Sequence, residues 1–109
     1  MKRIEAVIRQ NRLTHVKQAL SRGSHRGVTV CAVKEQDPKG EVTVRWRGQS
    51  RVVDLVPRVS VSVLVDDEDA RAAVDAIVNA ARTTGECDGT VVVVPVDEVV
   101  RISSAAACA

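Results

Sequence analysis

From Arg58 to Val65 the chain alternates without a break, with Val59, Val61, Val63 and Val65 on one side and Arg58, Ser60, Ser62 and Leu64 on the other. Period-two alternation of β-branched residues is the pattern of a strand with one face in a core. Immediately afterwards Asp66 to Asp69 charge and cap the start of a segment in which Val74, Ile77, Val78 and Ala81 recur at i, i+3, i+4 and i+7. Acidic residues there favour the positive end of a helix dipole, and the spacing predicts an amphipathic helix ending near Arg82. A strand running straight into such a helix constrains the fold more than any other stretch, because the two apolar faces must share one core.

The remaining elements fit around that unit. Arg3 to Ile8 reads as a central strand, with Ile4, Ala6 and Ile8 on one face and Arg3, Glu5 and Val7 on the other. Asn11 to Leu20 reads as a short helix carrying Leu13, Val16, Ala19 and Leu20, with Thr14 placed to cap it and Gly23 to stop it. Val28 to Val33 follows Gly27 as a second strand. Gln36 to Arg51 holds Asp37, Pro38, Gly40 and Gly48 among charges and reads as a long loop, of the kind usually tied to function. An alternative is a ribbon of Val42 to Trp46 with Arg51 to Leu55, closing on a turn at Gly48. After a turn at Thr83 to Thr90, Val91 to Val94 reads as a strand buried on both faces, Val96 to Ile102 as a last short element and Ser103 to Ala109 as a loose tail.

Composition narrows the function classes. With 109 residues, 45% hydrophobic and 28% charged, the chain suits one globular domain spanning residues 1–109. The longest apolar run, Val91 to Val96, is far short of the ~20 residues of a membrane span. No apolar export segment follows Met1, so no membrane insertion and a cytoplasmic location are expected. Trp46 is the only aromatic residue, which argues against base stacking and a nucleic-acid partner. Cys31, Cys87 and Cys108 fall in no C-x-x-C spacing, so neither a disulfide framework nor a metal site is expected. No nucleophile elbow or H-E-x-x-H occurs, and an enzyme becomes the weaker class. Residues 1–27 carry seven Lys or Arg against Glu5, while residues 66–109 carry nine Asp or Glu against three Arg. Such asymmetry fits a nucleic-acid partner or protomers that meet through opposite signs, and assembly is the favoured reading.

Strand, helix, strand, long loop, strand, helix, strand is an α+β order, a ferredoxin-like split βαβ sandwich (βαββαβ) with both helices on one face of an antiparallel sheet. The other face, rich in valine, would need covering by further copies.

The chain resembles the PII family of signal-transduction proteins, nearly end to end. The likeness is carried by Met1-Lys2-Arg3-Ile4-Glu5-Ala6-Val7-Ile8-Arg9, Val16-Lys17-Gln18-Ala19-Leu20, Arg26-Gly27-Val28-Thr29-Val30 and Val33-Lys34. It continues through Val52-Val53-Asp54-Leu55-Val56-Pro57-Arg58-Val59, Asp66-Asp67-Glu68-Asp69, Ala76 to Thr83, Asp88-Gly89 and Pro95 to Ile102. The resemblance implies a homotrimer, clefts between protomers that bind ATP or ADP, and T-loops that dock onto a target enzyme, transporter or regulator of nitrogen or carbon metabolism. It makes residues 36–51 the T-loop and 83–90 the B-loop. It places Thr29, Leu64, Cys87, Asp88, Gly89, Thr90 and Arg101 in the cleft that binds the nucleotide or another small-molecule effector. Lys39, Arg45, Trp46, Arg47 and Arg51 form an aromatic and basic docking surface on the T-loop, a composition favoured at interface hot spots.

The chain also departs from the family. Pro38, Thr90 and Ser103 stand where cations grip the nucleotide phosphates, leaving Arg101. Each charge-assisted contact is worth ~1.5–3 kcal/mol, so the loss of three implies binding of ATP, ADP or AMP weaker by roughly three decades or more unless other groups substitute. Lys39 replaces the glutamine that holds magnesium for 2-oxoglutarate, Arg58 stands at the position of a 2-oxoglutarate-contacting lysine, and Arg51 replaces the tyrosine that is uridylylated. Cys87 replaces a glycine. Two readings stay open: an effector-sensing regulator, and a trimeric scaffold of the same architecture that acts by assembly alone.

Overall fold

The computed structural model describes residues 1–23, 25, 27–36, 42–53, 55–83 and 88–102, with the backbone alone for 42–46 and 50–53. Its main sheet contains β1 (Lys2–Ile8), β2 (Val28–Gln36), β5 (Leu55–Val65) and β6 (Gly89–Pro95) in the order β2-β5-β1-β6, every neighbouring pair antiparallel. Two helices, α1 (Leu13–Ser21) and α2 (Ala70–Ala81), cross over from one strand to the next. This is the ferredoxin-like arrangement expected, with β1 central.

The alternation decides the layers. Ile4, Ala6 and Ile8 of β1 and Val59, Val61, Val63 and Val65 of β5 are buried, and they meet Val16 and Leu20 of α1 and Ile77 and Ala81 of α2. Register locks the pattern, because Ile4 lies opposite Val63 and Ala6 opposite Val61, and a slip of one residue would bring the opposite face into the core. Pro57 is tolerated within β5 because it pairs with Lys34 of β2 beyond the end of β1, where no second neighbour needs its missing N–H.

Local corrections follow from hydrogen bonding. The first helix is preceded by a 3₁₀ turn, Gln10–Arg12, and its N-cap is Arg12 with no side-chain cap, so Thr14 does not cap it. The acidic segment forms a second 3₁₀ turn, Asp67–Asp69; neither Asp66 nor Asp69 caps through its side chain, although the negative charge remains beside the helix start. Arg22 is the C-cap of α1, and the Gly23 amide donates to the Leu20 carbonyl at 3.1 Å.

The stretch expected as a long loop carries the ribbon alternative, with shifted bounds: β3 (Val42–Trp46) pairs with β4 (Gln49–Val53). The shift is set by Arg47 and Gly48, both at positive φ (50° and 75°), a two-residue hairpin turn that places Gln49 opposite Trp46. Residues 91–94 are not buried on both faces: Val92 and Val93 remain 49% and 44% exposed, because β6 is an edge strand and one sheet face carries no helix. Residues 96–102 form neither helix nor strand, and the loose tail expected at 103–109 lies outside the described residues.

One long-range contact ties the helix layer together. The Arg12 guanidinium donates from Nε at 3.0 Å and from Nη2 at 2.7 Å to the Ala80 carbonyl, one of the acceptors that the end of α2 leaves without a helical partner. Arg12→Ala is expected to cost about 1.5–3 kcal/mol, the range for hydrogen bonds from a charged donor. Denaturant midpoints check it, with Arg12→Lys predicted to recover only part of the loss because an ammonium cannot fork onto one oxygen.

Candidate effector site

Of the sequence-predicted cleft residues, Thr29, Leu64 and Thr90 fall on the sheet face turned away from the helices. Arg3, Glu5 and Val7 of β1 share it with Ser60, Ser62 and Leu64 of β5, Thr29 and Cys31 of β2, and Thr90, Val92 and Val94 of β6. Register orders them in rows: Leu64, Arg3 and Val94; then Thr29, Ser62, Glu5 and Val92; then Cys31, Ser60, Val7 and Thr90. The face is therefore mixed rather than purely apolar, and Arg3 Nε pairs with Glu5 Oε1 at 2.9 Å on it.

Within one chain the predicted residues separate into two groups. Thr29 and Leu64 line a cavity of about 460 Å³ with Arg3, Gly27, Glu98 and Val99. Asp88, Gly89 and Thr90 line a smaller one of about 100 Å³ with Ile8, Val78 and Arg82. Leu64 lies opposite Arg3 and Gly89 opposite Ile8, five positions along β1 or about 17 Å of strand, so one chain does not bring the two groups together. Arg101 is exposed and lines neither cavity. Gly89 and Thr90 belong to β6, not to a loop. Cys87 and Lys39 lie outside the described residues, and of Arg45, Trp46 and Arg51 only the ribbon backbone is described. Arg47 is exposed in the ribbon turn.

Beyond the last pair of β1 the rows acquire charge. Arg9 keeps an extended backbone (φ −67°, ψ 141°), so it continues the face of Arg3, Glu5 and Val7. Ile8 pairs with Val59, which puts Arg9 beside Arg58 across the strands. Both guanidiniums have Nε closed off from water and without a hydrogen bond. The Arg9 Nε lies 3.4 Å from Asp88 Oδ1, an ion pair without hydrogen-bond alignment. Buried donors of a charged group rarely stay unmatched, and Arg58 adds a second positive charge next to the Arg9–Asp88 pair. Arg9 was not among the residues singled out from the sequence, although one further step of the β1 alternation marks it.

Asp88 is held in turn by Thr83 at the end of α2. The Thr83 amide donates to Oδ2 at 2.9 Å and the Thr83 hydroxyl donates to Oδ1. The two Thr83 bonds, followed by the nearby Arg9 charge, hold the Asp88 carboxyl below its ordinary value of 3.8. A depressed carboxylate pKa adds stability that is full above the unfolded-state value and vanishes as pH falls through the folded-state value. The advantage of the unaltered chain over Asp88→Asn is thus expected to be constant above about pH 4 and to disappear in more acidic solution; thermal unfolding across pH 2 to 7 checks it, and a difference that persists at pH 2 speaks against it.

Among the described residues no group of three or more His, Cys, Asp or Glu is placed to hold a metal, and no helix is long and apolar enough to cross a membrane. The match to known proteins spans nearly the whole chain. The family model described as nitrogen regulatory protein P-II covers residues 1–106. A nitrogen regulatory protein P-II of Rhizobium meliloti (strain 1021) is 42% identical over 102 residues, 94% of this chain and 91% of the relative. Its counterpart in Cereibacter sphaeroides is 39% identical with the same coverage. A nitrogen regulatory protein P-II 2 of Methanothermobacter thermautotrophicus is 38% identical over 94% of this chain and 89% of its own length. Sequence, sheet order and this coverage agree: the chain belongs to the nitrogen regulatory protein P-II family.

Proposed function

We propose that the chain is a cytoplasmic, trimeric signal-transduction protein that senses a small anionic effector on the open sheet face and controls a target enzyme or transporter of nitrogen or carbon metabolism through the 36–51 segment. The observation that carries the reading is the pair Arg9 and Arg58, whose Nε donors are shielded and lack a hydrogen bond one row beyond Val7 and Thr90. Guanidiniums in that state suit a carboxylate or phosphate, which accepts two parallel hydrogen bonds from each fork. Assembly supplies the missing half of the cleft, because Thr29 and Leu64 of one copy stand about 17 Å along the strand from Gly89 of the same copy and only a neighbour can bring such groups face to face.

Arg9 and Arg58 offer charge where Pro38, Thr90 and Ser103 do not, which favours a compact anion over a nucleotide held by its full phosphate chain. Calorimetry with ATP, ADP, AMP, 2-oxoglutarate and bicarbonate tests the reading. At least one should bind, and Arg9→Gln with Arg58→Gln should weaken it by about a hundredfold or more, the loss of two charge-assisted contacts. Absence of binding by all five at millimolar concentration, with a trimer intact in sedimentation, would instead support the assembly scaffold.

A further inference from the structure

We propose that Asp88 is a positioning residue for this site and not a contact to its ligand: its carboxylate fastens the end of α2 to the start of β6 through Thr83 and fixes the Arg9 guanidinium that meets the effector. The inference rests on the effector reading above. A carboxylate within 3.4 Å of an anion-binding arginine repels the anion unless its own charge is engaged. Here both oxygens are engaged, Oδ2 by the Thr83 amide and Oδ1 by the Thr83 hydroxyl, and Oδ1 also faces Arg9 Nε. Asp88 thus meets Arg9 at its Nε, and we assign the two terminal nitrogens to the effector. Three elements meet at this one carboxylate: α2 through Thr83, two residues past its end, β6 through the adjoining Gly89, and β1 through Arg9, the residue after its last.

The two roles differ in sign. If Asp88 acted only through its charge, Asp88→Asn would tighten anion binding. Positioning predicts the reverse, about tenfold weaker binding, equivalent to one ordinary hydrogen bond. Calorimetry uses ATP and 2-oxoglutarate with the full chain, and the cycle is completed in an Arg9→Gln background, where Asp88→Asn should change nothing further. Thr83→Val, which keeps every charge, should weaken binding severalfold, and Thr83→Ser should restore it. Tighter or unchanged binding in Asp88→Asn, or the same tenfold loss without Arg9, overturns the proposal. Should Asp88→Asn not fold, Thr83→Val against Thr83→Ser decides alone, with equal affinities overturning it. If the unaltered chain binds neither probe, ATP and 2-oxoglutarate are excluded as the effector. The arginine Nε–H resonances then decide the clasp: a slowly exchanging Arg9 signal lost in Asp88→Asn supports it, and one that is retained overturns it.

Discussion

Gly89→Ala should cost about 3–5 kcal/mol and lower the melting temperature by more than about 10 °C, the sum of a strained backbone and a forced displacement of the central strand. Gly89 sits at φ 128°, where an L side chain is strained whatever the space around it. A Cβ there would stand 1.9 Å from the Val7 carbonyl oxygen and 3.0 Å from its carbon. Neither atom belongs to a flexible side chain, so β1 or β6 must move, and Gly89 pairs with Ile8 of the core. Because Gly89 adjoins Asp88, the same substitution is expected to abolish effector binding in whatever fraction remains folded. Gly27→Ala is the control, since its φ of 113° is also positive but nothing lies within 4 Å of the added carbon. Thermal unfolding followed by circular dichroism measures both. Equal losses at the two glycines would remove the close approach as the cause.

Ile77→Ala is expected to destabilise the chain by about 2–5 kcal/mol, the range for emptying a fully buried aliphatic site. Ile77 is 0% exposed and is the largest fully buried side chain that α2 contributes. Apart from Val74 the helix offers alanines to the core, among them Ala73, Ala80 and Ala81, so little neighbouring bulk can collapse into the cavity. Val92→Ala, at 49% exposure on the open face, should change the stability of a single chain by less than about 1 kcal/mol. If Val92→Ala instead shifts the sedimentation of the assembled protein, that face is covered by another copy.

Much of the architecture is legible because it rests on short-range periodicity. Val59, Val61, Val63 and Val65 mark the core face of β5, and Val74, Ile77, Val78 and Ala81 mark the inner side of α2 with no knowledge of what they touch. Helix starts are less legible. The acidic run before α2 reads as a cap, yet it forms a 3₁₀ turn whose benefit is electrostatic, and Thr14 lies two residues past the N-cap of α1. Within Gln36 to Arg51 the ribbon is legible only as an alternative and with shifted bounds, because Val42 to Trp46 is a short alternation among charges and the two left-handed residues that close it, Arg47 and Gly48, include one with no turn signature.

Of the candidate site, Thr29, Leu64, Asp88, Gly89 and Thr90 were marked by resemblance, and the structure divides them between two cavities rather than gathering them. Arg9 escaped notice, since its meaning depends on which strand lies beside it and on Asp88 at the far end of the chain.

By itself the sequence settled which residues of β1, β5 and the two helices face inward, the order of the main-sheet strands and helices, and the resemblance to the family, because hydrophobic periodicity and ordered local segments survive in one dimension. Tertiary structure alone decided that Arg9 meets Asp88 and lies beside Arg58 at one end of an open sheet face and that Gly89 admits no side chain. Those facts follow from register and from backbone-to-backbone distances between strands remote in sequence, quantities that no local pattern encodes.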